Sequence, residues 1–129
     1  MTMIYLQAGG AVEPLTVKLE LDSFVELSLA KLEQPGSATT PTPTTSRSKS
    51  DATWQISSVG APAITFSIDW LGVAPQDAGK AFDAKLTITD AGGALLTPFA
   101  GSDNPTVEGG KIGPAERPTC AGTFGVAVG

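Results

Sequence analysis

Asp69, Asp83 and Asp90, the single thiol of Cys120 and the rings of Trp54 and Trp70 are the side chains from which this sequence could build a site. No histidine occurs among the 129 residues. Histidine is the side chain that ordinarily changes charge near neutral pH. Its absence, together with the single cysteine, removes Ser-His-Asp and Cys-His catalysis, histidine metal sites and the common structural zinc sites.

The carboxylates do not announce a glycosidase. That chemistry needs two carboxyl groups roughly 5–9.5 Å apart across a cleft. Nothing in the spacing of Asp69, Asp83 and Asp90 shows such a pair. They read as solvated groups on strand faces and turns. Cys120 would be a nucleophile only with a lowered pKa. It shares its parity with Phe124, Val126 and Val128, so a buried, inert thiol is expected. No glycine-rich phosphate motif stands in a strand-to-helix setting. The expectation is a protein that is not an enzyme and carries no cofactor.

Calcium is the metal that oxygen ligands alone could hold. Asp103, Asn104 and Asp90 are the candidates, without EF-hand spacing or a cluster of acids. Trp54 and Trp70 are candidate platforms for sugar rings. Both also have the parity of core residues, Trp54 with Ile56 and Trp70 with Ile68. Trp70 ends its run just before Leu71-Gly72-Val73-Ala74-Pro75, which favours it as a rim position.

These residues sit in a chain built for strands. Ile64, Phe66, Ile68 and Trp70 alternate with Thr65, Ser67 and Asp69, and Phe82, Ala84, Leu86 and Ile88 with Asp83, Lys85 and Thr87. That is the two-residue period of half-buried strands. Cys120, Phe124, Val126 and Val128 repeat it at the end. Leu15, Val17, Leu19 and Leu21 share a face, and Val25, Leu27 and Leu29 continue the parity. A three-residue hairpin loop at Asp22-Ser23-Phe24 would bring the two apolar faces together. One bent strand passing from sheet to sheet fits the parity equally. Ser23-x-x-Glu26 is also a capping-box pattern, but Phe24, Val25, Leu27, Leu29, Ala30 and Leu32 spread around a helical wheel, so strand is preferred. Further strands are expected at Thr2–Gln7, Thr53–Ser57 and Ala94–Phe99, with Asp90-Ala-Gly-Gly93 as a turn. Ser102-Asp-Asn-Pro105 and Gly109-Gly110 read as punctuation.

The expected architecture is all-β: an antiparallel β-sandwich, Ig-like or jelly-roll-like, of about eight or nine strands in one domain over residues 1–129. Residues 34–51 break the pattern. Thr39-Thr-Pro-Thr-Pro-Thr-Thr45 and Ser46-Arg-Ser-Lys-Ser50 offer no apolar anchor, so a long exposed Thr/Pro/Ser-rich loop is expected there. Its Thr42, Thr44, Arg47 and Lys49 are interaction candidates. So are Phe124, Val126 and Val128, because an apolar terminal strand could add to a neighbour's sheet.

Charged residues make up 16% of the chain and the formal net charge is −5, against a usual charged share of about 25%. Nucleic acid is not an expected partner, since affinity there comes from Lys and Arg on phosphates. Membrane insertion is not expected either. Met1-Thr-Met-Ile-Tyr-Leu-Gln7 has neither a basic n-region nor an apolar h-region, so synthesis in the cytoplasm without a signal peptide is expected. Later release as part of a particle or an exported assembly would leave no mark in the sequence.

The closing Ala121-Gly-Thr-Phe-Gly-Val-Ala-Val-Gly129 resembles the last strand of small bacterial β-sandwich lectins that bind galactose through calcium. The resemblance covers that strand alone. The acid and asparagine ligands it implies just before the strand are absent, where Glu116-Arg-Pro-Thr119 stands, and no site is carried over.

Three functions follow as expectations. The first is a structural β-sandwich that associates with itself or another structural protein, decorating a particle, filament or capsid. The second is a carbohydrate-binding module using Trp70 or Trp54. The third is a small acidic inhibitor or immunity-type protein that masks a basic partner.

Overall fold

The computed structural model describes residues 2–7, 14–33, 49–56, 64–99 and 103–129. Nine strands make two sheets, and no helix occurs among the described residues. They are β1 (Thr2–Gln7), β2 (Leu15–Leu21), β3 (Glu26–Glu33), β4 (Asp51–Ile56), β5 (Ile64–Val73), β6 (Ala81–Thr89), β7 (Thr97–Pro98), β8 (Thr106–Lys111) and β9 (Thr119–Val128). The five-stranded sheet runs β3-β5-β9-β1-β7 and the four-stranded sheet β4-β2-β6-β8. All pairings are antiparallel except that of β1 with β9. The layout is sandwich-like.

The core lies between the sheets and follows the alternation. β2 contributes Leu15, Val17, Leu19 and Leu21, and β6 contributes Phe82, Ala84, Leu86 and Ile88. From the other sheet come Ile4 and Leu6, Phe66, Ile68 and Trp70, and Phe124, Val126 and Val128. No polar or charged residue among those described is buried.

Of the two routes that the parity allows, the chain takes passage from sheet to sheet and not the hairpin at Asp22-Ser23-Phe24. β2 already has a neighbour on each side, β4 and β6, while β3 pairs with β5 in the other sheet. The chain therefore crosses between sheets, through a turn in which the Val25 N–H donates to the Asp22 carbonyl at 2.9 Å. The shared parity arises because both strands face one core from opposite sides. The parity then breaks within β3. The register shifts between Leu27 and Leu29, so Leu27 is buried, Leu29 faces out and Leu32 turns in again. A β-bulge inserts one residue and reverses every side chain after it.

Gly109-Gly110 is not punctuation but lies inside β8. A Cβ on Gly110 would stand 2.8 Å from the Phe82 ring, which occupies the space a side chain would need. The strand expected at Ala94–Phe99 shortens to Thr97–Pro98, with one separate bridge from Thr89 to Leu95. In the Thr/Pro/Ser stretch, Thr42, Thr44 and Arg47 lie outside the described residues. Its far end is tied down: the Leu21 N–H donates to the Ser50 carbonyl, the Leu27 N–H to the Lys49 carbonyl, and the Ser50 hydroxyl to the Val25 carbonyl. Asp51, expected in the loop, begins β4.

Candidate functional site

Trp54 and Trp70 do not present sugar platforms. Trp54 is fully buried and Trp70 is 3% exposed. Both indole N–H groups are buried without an acceptor among the described residues. Trp70 and Phe82 meet in a T-shaped contact, with centroids 5.8 Å apart and planes at 87°. The two rings belong to facing sheets and join them. Cys120 is buried as well, and burial pushes its thiol pKa up, against a smaller opposing effect from the Gly72 backbone. A nucleophile needs the reverse.

Phe124, Val126 and Val128 are core residues. Their strand lies inside the sheet, between β5 and β1. From Phe124 to Val128 both sides of β9 are taken, so this stretch has no edge to lend to a neighbour.

The calcium candidates serve the backbone. The Asp90 carboxylate accepts from the Gly92 and Ala94 N–H groups and closes the turn before Leu95. Asp103 is exposed, and its carbonyl accepts from the Thr106 hydroxyl. The Asn104 carboxamide donates to the Ile88 and Leu96 carbonyls at 2.7 and 3.0 Å and accepts from the Ile88 N–H at 3.2 Å. The β6–β8 ladder runs to Leu86 opposite Thr106, and two positions further on its register would set Ile88 opposite residue 104. Proline 105 has no N–H to give, and the Asn104 side chain continues the ladder in place of the main chain. Asn104→Ala is expected to cost about 1–2 kcal/mol, read as a lowered midpoint in urea with an unchanged slope.

The structure brings other residues to the surface. Met3 and Tyr5 on β1 and Phe99 just after β7 are 45%, 48% and 42% exposed. Register sets Met3 beside Gly125 and Tyr5 beside Ala127, and these stand opposite Ser67 and Thr65 of β5. The Phe99 N–H donates to the Tyr5 carbonyl, and the Phe99 ring reaches Gly129. The result is a face of small and apolar groups across β5, β9, β1 and β7. Charge on this sheet gathers toward β3. There Lys31 and Glu33 pair at 2.7 Å, a hydrogen bond and charge that raise the Lys31 pKa, and Asp69 accepts from the Thr123 hydroxyl. The outer face of the four-stranded sheet is different, with Lys18, Glu20, Asp83 and Lys85 spread over it.

A second feature is a cleft of about 370 Å³ at one end of the sheets. It is formed by the β2–β3 crossing and the chain after β5. Phe24, Val73 and Pro75 supply apolar walls, and Glu26, Lys49, Gln76 and Asp77 supply polar ones. The Lys80 ammonium lies 4.3 Å from the Phe24 ring centre and 3.7 Å from Asp77. Lys49 is thus the one loop candidate that the structure places, and it faces this cleft.

The chain matches no protein-family model, no curated protein and no solved structure.

Proposed function

We propose that this protein is a non-enzymatic structural β-sandwich that assembles with copies of itself through the outer face of its five-stranded sheet. The observation that carries this reading is the cluster of Met3, Tyr5 and Phe99 on a part of that face that holds no charged residue among those described. Interface centres are enriched in aromatic residues and methionine and depleted in charge. The rest of the molecule, at net −5, repels its like, so copies meet best where the charge is missing.

Three of the four strand edges, all but β4, support face packing over strand addition. β3 carries a bulge and the Lys31–Glu33 pair, β7 is two residues long and contains Pro98, and β8 follows Pro105. β8 also turns Glu108 toward the inner side, opposite Ala84. Short edges, prolines, bulges and inward charges all resist a foreign strand. Of the two sandwich classes, the parallel pairing of β1 with β9 supports the Ig-like one, since a jelly roll is antiparallel throughout.

Light scattering over a concentration series tests the assembly reading. Wild-type protein is expected to form a defined oligomer. The Met3→Lys, Tyr5→Lys double variant is expected to be a folded monomer. A wild-type monomer at every concentration overturns the proposal, and so does an oligomer that the double variant leaves intact.

A further inference from the structure

We infer that the cleft between Phe24 and Gln76 is a binding site for a neutral sugar unit. Its volume of about 370 Å³ falls inside the roughly 300–1,000 Å³ of small-ligand sites. The inference does not rest on the assembly reading, because no cleft residue belongs to the Met3, Tyr5 and Phe99 cluster.

The polar groups divide into two sets. Asp77 and Lys80 pair with each other, and the Lys80 ammonium also rests on the Phe24 ring. Glu26, Lys49 and Gln76 make no side-chain hydrogen bond or ion pair among the described residues. All three face the same space. A carboxylate offers acceptors only, an ammonium donors only, and a carboxamide both. Together they can serve hydroxyl groups, each of which donates once and accepts twice.

Charge selects the ligand further. Glu26 and Asp77 are balanced by Lys49 and Lys80, so the cleft as a whole favours neither an anion nor a cation. A neutral ligand with many hydroxyls gains hydrogen bonds there without leaving a buried charge unpaired. Val73, Pro75 and the Phe24 ring form an apolar wall beside these groups. A pyranose has that same division, with hydroxyls around its rim and C–H bonds on its faces. In the bound state Glu26, Lys49 and Gln76 hold the hydroxyls, and the C–H face lies on Val73 and Pro75. An open cleft of this kind binds weakly, with a dissociation constant on the order of millimolar.

The test is an NMR titration of the full chain with galactose, glucose, mannose and N-acetylglucosamine, with glycine and inorganic phosphate as zwitterionic and anionic probes. At least one sugar is expected to shift the amides of Phe24, Glu26, Gln76 and Asp77 in a saturable way. Gln76→Ala is expected to weaken that binding about ten-fold while leaving the unfolding midpoint in place, since Gln76 is exposed. No saturable shift at these amides with any of the sugars overturns the inference. So do binding of glycine or phosphate in their place, and sugar binding that Gln76→Ala leaves unchanged. Repeating the titration on the Met3→Lys, Tyr5→Lys variant separates the two proposals, because loss of assembly leaves the cleft intact.

Discussion

Phe124→Ala is expected to remove about 3–5 kcal/mol of folding stability, the range for deleting a buried aromatic ring. Folded domains hold only about 5–15 kcal/mol in all, so the variant should stand near the edge of unfolding. The size follows from the position of β9. It pairs with β5 from Thr119 to Val128 and with β1 from Phe124 to Val128. Phe124 lies where both pairings overlap and is fully buried. Its ring therefore contacts a core that two strands fix on either side, and little can collapse into the space it leaves. Urea unfolding of the variant and the wild type gives the difference directly. A loss below about 1 kcal/mol, the size of an ordinary surface or edge effect, would mean that β9 is peripheral and can exchange.

The alternation of β2, β5, β6 and β9 was readable because each has one apolar parity, and burial follows it, strictly in β2 and β6 and with glycine exceptions at Gly122 and Gly125 in β9. β1 was readable as a strand but not as a surface. Met3, Ile4, Tyr5 and Leu6 are apolar in both parities, so nothing local says which pair faces out. The structure buries Ile4 and Leu6 and exposes Met3 and Tyr5. The route of the chain after Leu21 was also beyond local reading. A hairpin and a crossing give one parity, and the choice is made by β4 and β6, which lie far along the chain and occupy both sides of β2.

The same holds for the sites. Asn104 has the composition of a metal ligand, and only the ladder between Ile88 and Leu96 shows that its carboxamide is already engaged. Trp70 reads as a rim residue because the apolar alternation ends with it, but β5 runs on to Val73. A strand's end in sequence does not set its depth in a sandwich, and Phe82 from the opposite sheet closes over the ring. The cleft at Phe24 and Gln76 carried no sequence signal at all. Its residues come from three separate segments that meet only because the chain crosses sheets at Asp22.

Gly122→Ala is expected to destabilise the protein by about 1–3 kcal/mol, against the usual sign. Alanine in a strand interior is ordinarily the better residue by roughly 0.5–1 kcal/mol, since glycine has more freedom to lose. Here the added Cβ would stand 2.8 Å from Trp70 Cζ2 and 2.9 Å from its Nε1 and Cε2. The indole is nearly all buried and has the Phe82 ring against it at nearly a right angle. Phe82 in turn lies over Gly110, where a Cβ would come within 2.8 Å of the ring. Gly122, Trp70, Phe82 and Gly110 thus form one stack across the two sheets, with a glycine at each end because two large rings fill the middle. If that stack is the cause, shrinking the ring should cancel the cost. In a Trp70→Leu background, itself less stable, the further change Gly122→Ala should be neutral or stabilising. The double-mutant cycle then gives a coupling of about 2 kcal/mol. Strict additivity of the two changes would show that glycine is required at 122 for a reason other than the indole.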